Sequence, residues 1–276
     1  MFTNFIFCKF VTQLLIMKST ALITGASSGI GKEFAHIHAE KGDDLIIVAR
    51  STDKLEALKA ELEEKHSIKV SVFASDLSKP EAAKELFEAI SEAKLQVDYL
   101  INNAGFGGHG KFHERDWAED LAMIQLNMVT LTELTRLFLP QMVERNSGRI
   151  LNVSSTASLL PGPLQAVYFA TKAYVTSLSN ALSEELRETN VTVTALLPGA
   201  TATEFAKEAG MEKTGLFKKA FPARGVAENG YNAMMAGKLN VISGVTFGQR
   251  MMLAGIPFTP KKMLLKQVRK MQELQG

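Results

Sequence analysis

Short apolar runs alternate with amphipathic stretches along most of this chain. Runs of this length, bounded by turn residues, are typical of strands in a sheet that is buried on both faces. They lie at Thr20–Thr24, Leu45–Ala49, Lys69–Ala74, Val97–Ile101, Arg149–Val153, Val191–Leu197 and Val241–Phe247. Between them, stretches such as Thr52–His66 and Trp117–Arg145 have a helical pattern, and the second is expected to break near Pro140.

Strands that alternate with helices predict an α/β fold. We expect one domain over residues 18–276, with a Rossmann-type, doubly wound parallel sheet of about seven strands and helices on both faces. Ligands of such folds bind at the carboxyl ends of the strands. The residues expected at those ends are Gly25, Arg50, Asp76, Asn102, Ser155 and Pro198. The segment at about 200–222 has loop and short-helix character and is expected to cover the substrate.

The two ends of the chain have distinct patterns. Residues 1–17 are apolar, with Lys9 as the one charge. They are shorter than the roughly 20 residues of a membrane span, and they lack a small-residue cleavage site. We interpret them as an extension before Met17, with a membrane-associating anchor as the alternative. Residues 261–273 predict a basic amphipathic helix, expected to pack on the body of the protein. Contact of this helix with a membrane surface or a partner is possible but less favoured.

Composition narrows the class of protein. With 276 residues, 46% of them apolar, and a net charge of +2, the chain suits one domain with a substantial core and gives no reason to expect nucleic acid. The single cysteine, Cys8, excludes an internal disulfide framework and a cysteine-based zinc site, so a cytoplasmic location is expected. His109 and His113 have the i, i+4 spacing of zinc ligands. They lack the glutamate of a metalloprotease helix between them, and no metal site is predicted.

A glycine-rich turn follows the first predicted strand. Gly25, Gly29 and Gly31 stand between Thr20–Thr24 and a helical pattern that runs to Lys41. Glycines let the backbone approach a pyrophosphate, and the helix N-terminus offers free N–H groups and a partial positive charge. This context is the one that a dinucleotide-binding turn requires, although the spacing differs from the commoner Gly-x-Gly-x-x-Gly.

The residue after the second strand bears on the choice of cofactor. An NAD site expects an acidic residue there for the ribose 2′-hydroxyl, but this chain has Arg50, and Asp43 and Asp44 lie at the other end of the strand. The planar fork of Arg50 could pair with a 2′-phosphate, or Arg50 could be an ordinary surface charge. We expect NADP(H) to be preferred over NAD(H). Asp76 could accept a hydrogen bond from the adenine amino group or only cap the helix region that follows.

Tyr168 and Lys172 are spaced to share one face of a helix, about 5–6 Å apart. A free phenol titrates near pH 10, too high for proton transfer near neutrality, and a neighbouring cation lowers such a pKa by about 1–3 units. The positive ring of an oxidised nicotinamide would lower it further. A tyrosine four residues before a lysine is common by chance. The pair therefore indicates catalysis only if the chain also has a binding site for a hydride-carrying cofactor. Asn127, a poor helix former in mid-helix, indicates a role unless it bonds a carbonyl locally.

Taken in order, these motifs resemble the short-chain dehydrogenase/reductase family, single-domain branch, over about residues 18–247. They are the turn Thr24–Gly31, Asn102–Gly105, Asn127, Ser155, Tyr168 with Lys172, and Pro198–Gly199 with Thr203. The segment Pro161–Gln165 is similar to that of members that reduce long-chain 3-oxoacyl groups or steroids. The resemblance implies an oxidoreductase that transfers hydride between a nicotinamide cofactor and a carbonyl or secondary alcohol of a small apolar or acyl molecule.

The resemblance also implies roles for single residues. Tyr168 would give a proton to the carbonyl oxygen, Lys172 would lower the pKa of the phenol and bond the nicotinamide ribose, Ser155 rather than Ser154 would bond the substrate oxygen, and Asn127 would hold a water. Motifs and resemblance together place the cofactor against Gly25, Ser27, Ser28, Gly29, Ile30, Gly31, Arg50, Asp76, Leu77, Asn103, Ala104, Gly105, Tyr168, Lys172, Pro198, Gly199, Thr201 and Thr203.

Two further expectations come from the family. Some NADP-using relatives carry a basic residue where this chain has Ser28, which leaves Arg50 as the main selector. The long helices of the family often form subunit interfaces, so a homodimer or homotetramer is expected. The alternative function is a non-catalytic, nucleotide-bound sensor or scaffold on the same fold, against which only the intact catalytic positions argue. Isomerase or dehydratase chemistry with the same tyrosine is a third, less favoured possibility.

Overall fold

The computed structural model describes residues 18–211, 214 and 220–273. Within these ranges the strands are β1 (Thr20–Thr24), β2 (Asp44–Ala49), β3 (Val70–Ala74), β4 (Tyr99–Asn102), β5 (Gly148–Val153), β6 (Val191–Pro198), β7 (Thr201–Ala202), β8 (Phe221–Pro222) and β9 (Asn240–Ser243). Seven of them form one parallel sheet in the order β3-β2-β1-β4-β5-β6-β9, and β7 pairs with β8 apart from it. The predicted α/β fold class is confirmed.

Most of the helices connect successive strands, and the last two follow β9. They are α1 (Gly29–Ala39), α2 (Thr52–His66), α3 (Ala82–Glu92), α4 (Trp117–Ile124), α5 (Leu131–Glu144), α6 (Ala166–Glu185), α7 (Phe205–Glu208), α8 (Ala223–Met235), α9 (Phe247–Gly255) and α10 (Lys261–Gln272). A π-helical segment, Gln125–Thr130, joins α4 to α5, and short 3-10 turns lie at Phe112–Glu114, Thr156–Leu159 and Ile256–Phe258. Among the described residues, no helix is long and apolar enough to cross a membrane.

Alternate side chains of each strand point to opposite sides of the sheet, and helices cover both of these faces. One face packs on α1, α2 and α8, and its core includes Ile23, Ile47, Ile101, Phe34, Leu55 and Tyr231. The other face packs on α3 and α5, and its core includes Leu22, Ile46, Leu100, Ile150, Leu86 and Phe138. This two-layered burial explains why the strands are nearly continuous apolar runs in the sequence.

The long helical stretch between β4 and β5 was predicted to break near Pro140, but the helix continues through this residue. Pro140 lies inside α5, which continues to Glu144. A proline removes one hydrogen bond to the carbonyl four residues before it. That residue is Arg136, which is exposed on the solvent side of the helix. The irregularity falls instead at the π-helical segment, which contains Asn127.

The last strand is shorter than the predicted Val241–Phe247. It ends at Ser243, and Phe247 begins α9. The cause is a capping box, in which the Thr246 hydroxyl accepts from the Gln249 N–H at 3.2 Å and the Gln249 side chain accepts from the Thr246 N–H at 2.8 Å. The Thr-x-x-Gln spacing is visible in the sequence and could have revealed this helix start.

Two buried threonines provide a matched test of how the first turn is held. The Thr24 hydroxyl accepts from the N–H groups of Asn103 and Ala104, each at 3.0 Å. The hydroxyl of Thr194, on β6, has no hydrogen-bond partner among the described residues. Thr24→Val leaves two N–H groups unpaired, so we expect a loss of about 1–3 kcal/mol in the free energy of unfolding. Thr194→Val, which removes an unpaired hydroxyl, should be neutral or stabilising. Thermal and urea unfolding of both variants measure the difference, and equal effects would contradict this account of the turn.

Candidate active site

The glycine turn between β1 and α1 is held by hydrogen bonds from both sides. Gly25 and Gly29 have φ angles of 68° and 55°, in the left-handed region that favours glycine. The Gly25 N–H donates to the Val48 carbonyl at 2.8 Å. The Asn103 side-chain amide donates to the carbonyls of Thr24 at 2.9 Å and Gly25 at 3.2 Å. Asn103 therefore fixes the shape of the turn from the neighbouring strand.

Gly31 acts through packing and lies outside the wall of the cavity described below. A Cβ atom at this position would collide with the Gly25 carbonyl oxygen and the Asn103 side chain. The absence of a side chain lets α1 approach the turn closely. Ser28, which precedes α1, makes no side-chain capping bond to the described residues. The first N–H groups of α1 therefore remain for a ligand, which fits a pyrophosphate.

A cavity of about 480 Å³ opens at the carboxyl ends of the strands. Of the described residues that were predicted to bind cofactor or catalyse, only Gly31 and Asn127 lie outside its wall. Those in the wall are Gly25, Ser27, Ser28, Gly29, Ile30, Arg50, Asp76, Leu77, Asn103, Ala104, Gly105, Ser155, Tyr168, Lys172, Pro198, Gly199, Thr201 and Thr203. The turn and the helix N-terminus form a cradle of the kind that a dinucleotide requires.

Arg50 and Asp76 lie at the end of the cavity that the glycine turn borders. The Ser78 hydroxyl donates to Asp76 at 2.7 Å and the Ser78 N–H at 3.2 Å. These bonds, and the charge of Arg50 to a smaller extent, hold the pKa of Asp76 below its usual value. Asp76 thus caps the turn at Ser78, several residues before α3 begins. Lys54, which the sequence analysis missed, also lines the cavity and lies 3.5 Å from Glu204 on the opposite side.

Tyr168 and Ser155 both line the cavity. Ser155 follows β5, and its hydroxyl lies close enough to the Tyr168 phenol to oppose, by hydrogen bonding, the rise in the phenol pKa that burial causes. The same hydroxyl accepts from the Ala157 N–H at 3.0 Å. The neighbouring Ser154 has a different role, because its hydroxyl donates to the Lys172 backbone carbonyl at 2.8 Å and contacts Thr176 at 2.7 Å. Ser154 thus anchors α6 to the end of β5, and Ser155 faces the reacting groups.

Lys172 lies one turn further along α6, as predicted. Its ammonium donates to the Val153 carbonyl at 2.8 Å and lies 5.9 Å from the centre of the Tyr168 ring. The residue is only 5% exposed. The carbonyl end of β5 therefore holds the positive charge beside the phenol.

Burial dominates the protonation of both groups. It raises the pKa of Tyr168 to about 12, against an opposing effect of the hydrogen bond with Ser155. It also lowers the pKa of Lys172 to about 8. The sequence led us to expect a lowered phenol pKa, but in the protein alone the shift has the opposite sign. Removing the phenolate from water costs more than the nearby hydrogen bond returns.

Asn127, in the π-helical segment, bonds both the loop after β4 and α6. Its side-chain amide donates to the Phe106 carbonyl at 2.9 Å and to the Thr171 hydroxyl at 3.1 Å, and its oxygen accepts from the Phe106 N–H at 3.2 Å. These partners are remote in sequence, which rules out a purely local bond. A Cβ added to Gly105 would lie 2.9 Å from the Asn127 oxygen and 3.4 Å from the Lys172 nitrogen, so the two side chains are neighbours.

The other end of the cavity is apolar and is built largely by the C-terminal helices. Leu264 and Val268 of α10 are buried in a cluster with Tyr168 and Phe169. No cavity residues were predicted in this region from the sequence. The apolar residues of the region that line the cavity are Met252, Leu253, Ile256, Leu264, Val268 and Met271, and the polar ones are Gln249, Thr259, Gln267 and Gln272. Among the described residues of segment 200–222, Phe205 and Met211 also line the cavity, and 212–213 and 215–219 lie outside the described residues.

Hydrogen bonds join the loop after β4 to the C-terminal helix and to the start of α6. The His109 ring is 2.7 Å from the Gln272 carbonyl, so His109 fastens the end of α10. His113 is exposed and lies 3.5 Å from Glu114. The Gly110 N–H donates to the carbonyl of Leu164 at 2.9 Å, and Leu164 has a φ of 68°. Backbone strain of this kind, in a residue other than glycine, persists where surrounding contacts fix it, often beside a site.

The chain is similar to known proteins in sequence and in structure. A profile of the short chain dehydrogenase family matches residues 19–214. The chain is 36% identical to human very-long-chain 3-oxoacyl-CoA reductase over 194 residues, which are 68% of this chain and 61% of that protein. It is 33% identical to human 17-beta-hydroxysteroid dehydrogenase type 3 over 193 residues, which are 69% of this chain and 62% of that protein. The chain thus spans less than two thirds of the length of these relatives.

Among solved structures, a short-chain dehydrogenase from Sphingobium yanoikuyae in complex with NADPH is similar to this chain with a TM-score of 0.78 and 32% identity. The similarity covers 87% of this chain and 94% of that one. The fold of this chain is therefore similar to that of a protein whose structure has been solved with NADPH.

Proposed function

This chain belongs to the short-chain dehydrogenase family, as its motifs predicted, and we propose that it transfers hydride between NADP(H) and a carbonyl or secondary alcohol of an apolar or acyl compound. The family makes it an oxidoreductase. One observation carries the finer proposal: Tyr168, Ser155 and Lys172 line a single cavity whose wall also includes the glycine turn and the apolar side chains of the C-terminal helices.

In this proposal the protein supplies the proton and holds the substrate, and bound NADPH would supply the hydride. Because burial raises the pKa of Tyr168 to about 12, the phenol carries its proton at neutral pH and can donate it to a carbonyl oxygen. The Ser155 hydroxyl bonds the same oxygen, which fixes the carbonyl for the transfer. This protonation state suits reduction of a carbonyl better than oxidation of an alcohol.

Lys172 and Asn127 act on the phenolate that proton transfer leaves behind. A pKa of about 8 keeps Lys172 mainly as the ammonium at pH 7, so its charge stabilises the phenolate from 5.9 Å away. Asn127 is its neighbour, and we propose that it helps to hold a water through which the site regains its proton. We also propose that Lys172 bonds the ribose of the nicotinamide.

The preference for NADP(H) rests on charge at the cofactor end of the cavity. Arg50 stands at the end of β2, and Lys54 lines the same region. A planar guanidinium suits the 2′-phosphate that distinguishes NADP from NAD. The NADPH complex of the Sphingobium relative supports the same cofactor.

The substrate class rests on the apolar end of the cavity. Its wall combines Phe205 and Met211 from the segment at 200–222 with side chains of α9 and α10. Such a wall suits a long acyl chain or a fused-ring compound, and the two human relatives are named for substrates of these kinds. We propose that segment 200–222 covers the bound substrate.

The proposed chemistry is tested by Tyr168→Phe, with Tyr174→Phe as the matched control. Loss of the phenolic proton should lower kcat for NADPH-dependent reduction of apolar ketones by about 10²–10⁴-fold, with NADPH binding retained. The Tyr174 hydroxyl contacts Thr132 at 2.9 Å, outside the cavity wall, and its removal should leave kcat nearly unchanged. NADPH oxidation across a panel of ketones and NADPH binding by fluorescence measure both. Binding without turnover across the panel would indicate the sensor or scaffold instead.

The cofactor preference is tested by Arg50→Asp. A carboxylate should repel the 2′-phosphate and accept from a ribose 2′-hydroxyl, so the ratio of kcat/KM for NADPH to that for NADH should fall by about tenfold or more. Arg187→Asp, on an exposed residue that pairs with Glu184, is the control and should leave the ratio unchanged. An unchanged ratio in Arg50→Asp would remove the argument for Arg50.

We also propose that the protein has a cytoplasmic location, on the basis of its composition. A further proposal is that it forms a homodimer or homotetramer. On α4, Trp117 is 61% and Leu121 is 49% exposed on one face, and Val143 of α5 is also exposed. Large apolar side chains in this position suit an interface between copies of the chain. Light scattering at micromolar concentration should give at least twice the chain mass of 30.2 kDa. A monomeric mass would contradict the proposal.

A further inference from the structure

The two C-terminal helices and the turn between them form a hairpin with two different sides. This C-terminal hairpin, residues 246–272, consists of α9, the turn Ile256–Phe258 and α10. Its inner side lines the apolar end of the cavity. Its outer side exposes the large apolar side chains Phe247 (80%), Met251 (58%), Phe258 (89%) and Met263 (57%). Exposure of this extent, concentrated in one segment, calls for something to cover it.

These four exposed side chains, called the apolar edge below, come from both helices and from the turn between them. Phe247 and Met251 are one turn apart and share a face of α9. Phe258 lies in the turn that joins the helices, and Met263 lies in the first turn of α10. The Gln267 amide of α10 contacts the Met252 sulfur of α9 at 3.7 Å, so the two helices lie side by side.

The charge of the hairpin is of one sign. Residues 246–272 contain no aspartate or glutamate and six basic residues, which are Arg250, Lys261, Lys262, Lys266, Arg269 and Lys270. Arg269 pairs at 3.3 Å with Glu273, which directly follows the hairpin, and the other five form no ion pair with the described residues. The whole chain has a net charge of +2, so six positive charges here leave the remainder with a net charge of −4. The basic character is therefore a local property of the hairpin.

We propose that the outer side of the C-terminal hairpin docks on the surface of a membrane that contains anionic phospholipid. Exposed phenylalanine and methionine side chains enter the boundary between headgroups and acyl chains, and lysine and arginine side chains reach the phosphates around them. The orientation of α10 suits this, because Leu264 and Val268 face the protein and Lys262 and Lys266, also four residues apart, remain exposed.

Charge argues against two other occupants. A second copy of the chain, related by a two-fold axis, would bring the same six cations face to face. Residues 1–17 have Lys9 as their one charge and so offer no acidic partner to the hairpin. An anionic lipid surface complements both the apolar edge and the cations.

Docking would bring the apolar end of the cavity to within about one helix diameter, roughly 10 Å, of the lipid. Met252, Leu253 and Ile256 of the hairpin line the cavity from the inside. If the proposed function holds, apolar substrates dissolved in the membrane would be concentrated beside the site. The docking itself does not depend on that function.

Co-sedimentation of the full chain with vesicles tests the proposal. One set of vesicles contains phosphatidylcholine alone, and the other contains phosphatidylcholine and phosphatidylserine at about 3:1. We expect binding to the second set at low ionic strength, weakened by added salt, and little binding to the first. Lys262→Gln/Lys266→Gln should weaken binding by about 30-fold, at roughly fivefold per cation. Phe247→Ser/Phe258→Ser should weaken it by about tenfold or more.

Matched controls are present elsewhere on the surface. Lys41→Gln/Lys84→Gln removes two exposed lysines, and Phe112→Ser removes a phenylalanine that is 65% exposed, all outside the hairpin. These controls should bind as the wild type does. Thermal unfolding of each variant checks that it is folded. The proposal is overturned if hairpin variants sediment like the wild type, which would point to residues 1–17. It is overturned equally if the wild type binds neutral vesicles as well as anionic ones, or binds polyglutamate but no vesicles.

Discussion

A phenol and an ammonium buried side by side are the constraint on which the rest of the site depends. Burial disfavours the charged form of each group, so it shifts the pKa of Tyr168 upward and that of Lys172 downward. The fold keeps the lysine in place with the carbonyl of Val153, the last residue of β5. Carboxyl ends of parallel strands supply such carbonyls, and so the chemistry lies at that edge of the sheet.

Holding these groups at a fixed distance requires a rigid frame beneath them. Asn102 at the end of β4 donates to Asn152 of β5 at 2.9 Å and to Thr135 of α5 at 3.1 Å, and Asn152 donates to Ser179 of α6 at 2.9 Å. This buried network ties the two central strands to helices that approach from the same face. The Asn102 side-chain oxygen has no partner among the described residues, but directional bonds between buried polar groups still specify one arrangement more strictly than apolar packing does. The orientation of α6, and with it the spacing of Tyr168 and Ser155, follows from this frame.

Much of this could be read from the sequence because it is local. Buried strands are continuous apolar runs, Thr52–His66 and the helix from Lys261 are periodic, and the glycine turn is a short motif, so each was predicted close to its observed place. The long helix was predicted wrongly at Pro140 because a proline's cost depends on whether the carbonyl that it leaves faces solvent. The π-helical segment at Asn127 depends on Phe106 and Thr171, which are distant in sequence. The sign of the Tyr168 pKa shift depends on burial, which no spacing of residues reveals.

An amphipathic sequence pattern does not by itself show which side of a helix faces the protein, and the C-terminal hairpin is an example. The sequence of α10 has apolar and basic residues in alternation, and either group could have faced the protein. Burial of Leu264 and Val268 against Tyr168 and Phe169 fixes the rotation of the helix, and the cations are then directed outward because of their spacing. The helix also cannot bury Met263 on the same face. An exposed apolar edge flanked by positive charge is thus a consequence of packing α10 on the body of the protein, and the same packing that completes the apolar wall of the cavity defines the surface offered to lipid.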